Sequence, residues 1–97
     1  YQEGMFEDYI NILEQGADKF TGKERGDFFL LMAKAYCQLN DTNAISYYLS
    51  AAQLFGTLRL KAANALKEGA KCASQLNLPE KSQELEDAAQ ALLSGID

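Results

Sequence analysis

The sequence contains no histidine, no tryptophan and no valine, and it has a single proline among 97 residues. Without histidine the chain cannot form a Ser-His-Asp or Cys-His nucleophilic site, or a metal site that uses imidazole. Its apolar runs are far shorter than the roughly 20 residues of a membrane-spanning helix. We therefore expect no membrane span, no catalytic residue, no metal and no other cofactor.

β-Branched residues are also scarce, because the chain has only four isoleucines and three threonines, whereas alanine and leucine are abundant. Strands favour β-branched and aromatic residues, while alanine and leucine are strong helix formers. The length suits one small domain. The composition thus predicts a single all-α domain over residues 1–97. Tyr1 stands where an initiator methionine would be, which suggests a piece of a longer or processed chain.

The net charge of −5 reflects a surplus of acidic residues. Nucleic-acid binding needs a surplus of lysine and arginine, so we expect no nucleic-acid partner.

The two cysteines, Cys37 and Cys72, fall in segments of helical apolar periodicity and outside any Cys-x-x-Cys motif. We interpret them as buried free thiols of a reducing compartment, with a disulfide between them as the alternative. The first interpretation predicts an intracellular, cytoplasmic location.

Apolar residues recur at three- and four-residue spacing in five segments, which predicts five helices. A capping box at Thr21 and Glu24 begins the second helix, Asp41 is the N-cap of the third, and Gly56 ends the third. Gly69 lies inside the fourth helix at a cost of ~1 kcal/mol relative to alanine, which predicts the close approach of a neighbouring helix. The predicted helices cover residues 5–17, 22–39, 42–55, 57–77 and 80–93.

Short loops between these helices predict antiparallel hairpins, and the hairpins repeat. Tyr9, Ala44 and Ser82 occupy equivalent positions, at separations of 35 and 38 residues. The stretch from 29 to 52 resembles a tetratricopeptide repeat, with asparagine in place of the glycine of the usual turn. The residues that carry the resemblance are Phe29, Met32, Ala33, Tyr36, Leu39, Asn40, Asp41, Ala44, Tyr48 and Ala51.

This resemblance implies a half repeat over 4–20, a repeat over 22–55 and a degenerate repeat over 57–94. The expected fold is a short right-handed α-α superhelix of about five antiparallel helices. In such a stack a hairpin cannot bury its apolar stripe alone, so neighbouring hairpins share one continuous core.

In the tetratricopeptide family the first helices of the hairpins line a concave groove, and the second helices form the convex back. Here the two first helices carry seven basic and three acidic residues, a net +4, and the three second helices carry one basic and seven acidic residues, a net −6. The resemblance thus predicts an interaction module that binds an acidic, partly apolar protein or peptide segment in the groove. The candidate groove residues, taken from the family pattern, are Asp27, Leu30, Lys34, Gln38, Leu66, Lys67, Ala70 and Ser74.

A second interpretation is purely structural. The chain would then be a segment of a larger helical-repeat protein and would pack only against its own flanking repeats. The absence of a helix before Met5 would expose Tyr9 and Leu13, and this predicts self-association. An enzyme is the third class, and we do not expect one, because the paired carboxylates lie on predicted polar faces and not in an apolar cleft.

Overall fold

The computed structural model describes residues 2–94, and the side chains of all of these except residues 2–4 and 6. Tyr1 and residues 95–97, which the predicted domain includes, lie outside the described residues. Within this part of the chain the structure consists of helices and contains no strand, so the all-α prediction is confirmed. The helices are α1 (Gln2–Asp18), α2 (Gly22–Gln38), α3 (Asn43–Phe55), α4 (Arg59–Gln75) and α5 (Pro79–Ser94).

Each predicted helix is present, and its ends lie within three residues of the observed ends. The residue directly before α3 is Thr42, and its side chain makes no capping bond; the predicted Asp41, one residue earlier, accepts a hydrogen bond from the Asn43 amide at 2.9 Å. The capping box on α2 is wrong, since the Thr21 side chain makes no capping hydrogen bond. Gly22 follows Thr21 with a φ of +61°, so the chain enters α2 through a left-handed residue. A capping box instead needs helical backbone directly after its first residue.

The first helices of the two hairpins, α2 and α4, end in the same way. Asn40 and Asn77 follow them with φ values of 58° and 62°, in the left-handed region that asparagine tolerates better than other side chains. The amide after each asparagine donates to the carbonyl oxygen five residues before it, at 3.0 and 2.8 Å. This is the Schellman arrangement, in which the last carbonyls of a helix find donors. Asn40 and Asn77 thus take the backbone conformation that glycine most often supplies at the end of a helix.

Consecutive helices pack against one another along the whole chain, and α2 also contacts α4. Among the described residues no other pair of helices is in contact. The first helices α2 and α4 are therefore neighbours, whereas the second helices α1, α3 and α5 are not. The molecule is correspondingly thin, with principal extents of 45 × 33 × 13 Å. None of the described helices combines the length and apolar character that crossing a membrane would take.

Small residues let these helices approach closely. A Cβ atom added at Gly69 of α4 would lie 3.0 Å from Tyr48 Cβ of α3, which is closer than about nine in ten real Cβ contacts. The predicted reason for a glycine inside α4 is therefore confirmed. Alanine has the same role elsewhere in the core, because its short side chain brings backbones together. The fully buried alanines are Ala33, Ala44, Ala51, Ala63, Ala65, Ala73 and Ala89.

Helix α1 packs against α2 through a separate part of the core. Ile10, Leu13 and Ala17 are buried there with Met32 and Ala35 of α2. Leu13 is therefore not exposed, contrary to the prediction made for a missing preceding helix. Tyr9 is exposed as that prediction requires.

Cys37 of α2 and Cys72 of α4 are both buried, as predicted, but they form a disulfide. The interpretation as free thiols is therefore wrong. The two Cα atoms are 6.1 Å apart, because the direct contact between α2 and α4 brings together positions that are 35 residues apart in the chain. The disulfide also removes the observation from which a reducing compartment was predicted.

Candidate interaction face between helices α2 and α4

A strip of polar side chains follows the contact between α2 and α4. We call it the α2–α4 face and define it by Asp27, Leu31, Lys34 and Gln38 of α2 and Lys61, Glu68, Lys71 and Gln75 of α4. On each helix these positions recur at intervals of three, four or seven residues, which places them on one stripe of the helix surface. Helical periodicity in the sequence is therefore what assembles this face.

Two ion pairs connect the helices across the face. Lys61 Nζ lies 3.3 Å from Asp27 Oδ1, and Lys34 Nζ lies 3.4 Å from Glu68 Oε1. In both pairs the partner on α4 is 34 residues after the partner on α2, so one register holds along the contact. All four side chains are exposed, and each such pair stabilises the fold by only ~0–1 kcal/mol. The ion pairs therefore contribute little to stability, and their main effect is on the alignment of α2 with α4 and on the distribution of charge over the face.

A depression of about 290 Å³ opens between the two helices beside the second ion pair. Its buried lining is the Cys37–Cys72 disulfide together with Tyr48 of α3. Its rim is polar and consists of the side chains Lys34, Gln38, Glu68, Lys71 and Gln75. The arrangement offers an apolar floor with hydrogen-bonding and charged groups around it, as small binding depressions commonly do.

The α2–α4 face is less positively charged than the net +4 counted for the two first helices in the sequence suggests. Asp27 lies beside Lys61 and neutralises its charge, and Glu68 does the same for Lys34. Lys71 is exposed on the rim, and in residues 2–94 no carboxylate lies within 4.0 Å of its Nζ. Lys71 is therefore the cation of this face that remains available to an acidic partner.

The structure places some of the predicted groove residues on the α2–α4 face and the others elsewhere. Asp27, Lys34 and Gln38 lie together on the α2–α4 face, and Leu30 is half-buried against the core. Leu66 and Ala70 are buried in the core, so neither can touch a partner there. Lys67 lies on the side of α4 toward α5, in a neighbouring depression that Glu68 and Lys71 also line together with Glu86 of α5, and Ser74 is exposed.

On α4 the residues that line the observed face are displaced by one position from those that the family pattern predicts. The positions that line the face are Glu68, Lys71 and Gln75, where the family pattern places Lys67, Ala70 and Ser74. Few apolar positions of this degenerate repeat match the family pattern, so the pattern is easily aligned one residue out of register with the sequence. The signal that fixes the register is present in the sequence: opposite charges recur at a separation of 34 residues, and the two cysteines at 35.

The floor of the depression contains a tyrosine with an altered pKa. Burial, and then the negative charge of Glu68, raises the pKa of Tyr48 from 10.0 to about 12. On α2, burial and then the hydrogen bond with Tyr47 raise the pKa of Tyr36 to about 12. Both shifts favour the neutral phenol in the folded protein.

We expect the free energy of unfolding to fall as the pH rises from about 10 to about 12. In this window the unfolded chain loses the phenolic protons while the folded chain keeps them, so ionisation favours unfolding. The stability that these groups supply is complete below pH ~10 and is lost as the pH passes the folded pKa. Chemical denaturation at several alkaline pH values measures how steeply the free energy of unfolding falls with pH.

Tyr48→Phe is the matched variant, because it removes the ionising group and keeps the ring. Tyr48→Phe should reduce the fall in the free energy of unfolding at alkaline pH, and adding Tyr36→Phe should reduce it further. A fall of unchanged steepness in the double variant would show that the two tyrosines do not cause it.

No three or more histidine, cysteine, aspartate or glutamate side chains are grouped so as to hold a metal ion in the part of the chain that the structure describes. Comparison with known proteins gave no match to a family model, a curated protein or a solved structure. The function is therefore inferred from the geometry and charges of the α2–α4 face.

Proposed function

We propose that the chain is a protein–protein interaction module that binds an acidic, partly apolar peptide segment or helix along the α2–α4 face. The observation that carries this proposal is the depression at that face, where Lys71, which has no carboxylate within 4.0 Å among the described side chains, borders the buried Tyr48 and the disulfide. Electrostatic attraction to such a rim selects an acidic partner and speeds its association.

The proposed architecture is a short right-handed superhelix of tetratricopeptide type. Its support is the contact between the first helices α2 and α4, combined with the absence of contact between the described second helices. The matching left-handed turns at Asn40 and Asn77 add to it, because they repeat one hairpin design 37 residues apart. In this arrangement the α2–α4 face is the concave side.

Apolar contact must supply most of the affinity, since an exposed lysine–carboxylate pair contributes only ~0–1 kcal/mol. Leu31 lies between Asp27 and Lys34 on the same stripe of α2, and it is one of the exposed large apolar residues. Together with the floor of the depression it offers apolar surface beside the cation. The charge then decides which apolar segments are accepted.

We expect Lys71→Glu to weaken binding of an acidic amphipathic probe by roughly tenfold, because it replaces an attraction of ~0–1 kcal/mol by a repulsion of similar size. The probe is a synthetic peptide of glutamate and leucine with leucines at helical spacing. Its affinity for the oxidised chain is measured by fluorescence anisotropy at low and high salt. The variant should also bind with a weaker salt dependence.

Lys19→Glu is the control, because Lys19 is an exposed residue of the loop after α1 and makes the same change in net charge. If Lys19→Glu weakens binding as much as Lys71→Glu, the probe senses overall charge and not the α2–α4 face. Unchanged affinity in Lys71→Glu would also contradict the proposal.

A second candidate function is the purely structural one, in which the chain is a segment of a larger helical-repeat protein and packs against its own flanking repeats. The observation that favours it is the exposed Tyr9 on α1. It predicts that the acidic probe binds nowhere on the chain, and that adding flanking sequence raises the denaturation midpoint.

A further inference from the structure

A groove runs along α2 on the side away from the α2–α4 face, and we call it the α1–α3 groove. Its walls are the second helices α1 and α3, which both pack on α2 and make no contact with each other in the described residues. The stripe of α2 at its floor is displaced by two residues from the stripe of Asp27, Lys34 and Gln38, which is about 200° around the helix. The floor residues on α2 are Arg25, Phe29, Met32, Tyr36 and Leu39.

Two depressions make up this groove. One, of about 250 Å³, lies between α1 and Tyr47 of α3, and the other, of about 420 Å³, lies between α1 and Tyr36 of α2. Glu14 lines both of them, and the ring of Tyr36 stacks on the ring of Tyr47 with centroids 5.0 Å apart. The two depressions therefore adjoin each other along α1.

The floor of the groove presents a row of aromatic rings. Phe29 meets Tyr47 edge to face with centroids 5.6 Å apart, and Tyr47 stacks on Tyr36. At one end of the row the guanidinium carbon of Arg25 lies 5.3 Å from the centroid of Phe29. Among the described residues no cation lies over Tyr36 or Tyr47. Arg25 thus shows how a guanidinium stacks in this groove, and it leaves the two tyrosines for the cation of a partner.

The rim of the groove is acidic, because five carboxylates line it and Arg25 is the one cation among the lining residues. In residues 2–94 none of the five carboxylates has a lysine or arginine nitrogen within 4.0 Å. Burial and then Tyr47 raise the pKa of Tyr36 to about 12, and the charges of Glu14 and Asp41 add to this shift. Carboxylates of α1 and of the loop before α3 thus act on one phenol of the floor. The five are Glu7, Asp8, Glu14, Asp18 and Asp41.

The spacing of the carboxylates on α1 indicates the conformation of a matching ligand. From Glu7 to Asp18 the helix rises by ~16 Å. Side chains of an extended chain alternate, so those on one side recur at intervals of about 7 Å. Three basic residues at alternating positions of an extended segment thus span roughly 13 Å, which is close to the length of this acidic wall.

We propose that the α1–α3 groove binds an extended segment of a partner protein with arginines at alternating positions. Arginine suits the groove better than lysine, because its planar guanidinium stacks on aromatic rings and binds carboxylates through two parallel hydrogen bonds. This proposal is independent of the acidic ligand proposed for the α2–α4 face, since the two surfaces lie on nearly opposite sides of α2 and select opposite charges. Either one can fail without the other.

The test uses a fluorescently labelled hexapeptide of alternating arginine and threonine, because threonine favours an extended backbone. Its affinity for the oxidised chain is measured by fluorescence anisotropy, and amide chemical shifts of the isotope-labelled chain locate the site. We expect the largest shifts at Glu14, Tyr36, Tyr47 and their neighbours. Glu14→Lys should weaken binding roughly tenfold, because it replaces an attraction by a repulsion where the two depressions meet.

Two matched controls accompany this variant. Glu80→Lys makes the same change in net charge at an exposed residue of α5 outside the groove, and it should leave the affinity unchanged within about twofold. A hexapeptide with lysine in place of arginine should bind roughly three- to tenfold more weakly, since lysine has no planar group to stack on the tyrosines. Circular dichroism confirms that the variants remain folded.

The proposal is wrong if the arginine peptide does not bind. It is also wrong if Glu80→Lys weakens binding as much as Glu14→Lys, because the peptide then senses overall charge and not the groove. Equal affinities of the arginine and lysine peptides would overturn it as well, since the aromatic row would then take no part. A dimer in sedimentation that Glu14→Lys dissociates and the arginine peptide does not would assign the groove to a second copy of the chain.

Discussion

Reduction of the Cys37–Cys72 disulfide is expected to lower the free energy of unfolding by about 3–4 kcal/mol. The bond joins residues 35 positions apart, and a closed loop of that length removes conformational entropy from the unfolded chain. Domains of this size are stable by only ~5–15 kcal/mol in total, so the disulfide accounts for a large share. Besides the buried apolar residues that α2 and α4 share in the core, the ion pairs between them are exposed and of small energy.

Urea denaturation of the same chain with and without a dithiol reductant measures this difference. Both sulfur-bearing side chains are buried, so reduction of the folded protein should be slow, and the reduced sample is best prepared by unfolding and refolding in reductant. The control is the double variant Cys37→Ser, Cys72→Ser, whose midpoint the reductant should not change. An equal midpoint for oxidised and reduced wild-type chain would contradict the expected stabilisation.

The same bond shows which features of the fold are readable from local sequence. The helices were predictable because the three- and four-residue spacing of apolar residues, the cap at Asp41 and the turn residue Gly56 act within a few positions. The pairing of the cysteines was not, because it depends on how α2 and α4 are rotated against each other. Local periodicity places each cysteine on a buried stripe and says nothing about what lies opposite.

The binding face was predictable on α2 and misplaced on α4 for a related reason. Helix α2 belongs to the well-matched repeat, so Asp27, Lys34 and Gln38 were placed on the correct stripe. Helix α4 is rich in alanine, and a shift of one residue along such a helix changes few of its pattern matches. The same shift rotates the helix surface by about 100°, which moves Leu66 and Ala70 from the predicted groove into the core.

The exposure of α1 was predicted only in part, and the reason is geometric. A second helix in this fold has two apolar flanks, one for its own first helix and one for the next. Leu13 lies on the flank that α2 covers, whereas Tyr9 lies on a flank that no described helix covers. The sequence pattern identifies both as apolar, and only the packing separates them.

Phe55→Ala is expected to lower the free energy of unfolding by about 3–5 kcal/mol, the usual cost of removing a buried phenylalanine side chain. Phe55 is 3% exposed and connects three helices. Its ring would lie 3.0 Å from a Cβ at Gly26 of α2, and it packs with alanines of α4. Lys61 Nζ also lies 5.1 Å from the ring centroid. The alanine variant therefore leaves a cavity that these helices cannot close without moving apart.

Phe20→Ala is the matched control, because Phe20 precedes Phe55 by 35 residues and is its counterpart after α1. Phe20 is 45% exposed, and among the described residues its ring stacks on Phe28 alone, with centroids 5.5 Å apart. Its loss should cost less than the loss of Phe55, with about 0.5–1.5 kcal/mol from the ring contact. Urea denaturation of both variants with the disulfide intact gives the two values. The two phenylalanines stand at equivalent positions, and their losses would differ because Phe55 is packed between the two first helices α2 and α4, whereas Phe20 contacts α2 alone among the described helices. Equal losses in the two variants would show that Phe20 is covered in solution, and would contradict the exposure on which this comparison depends.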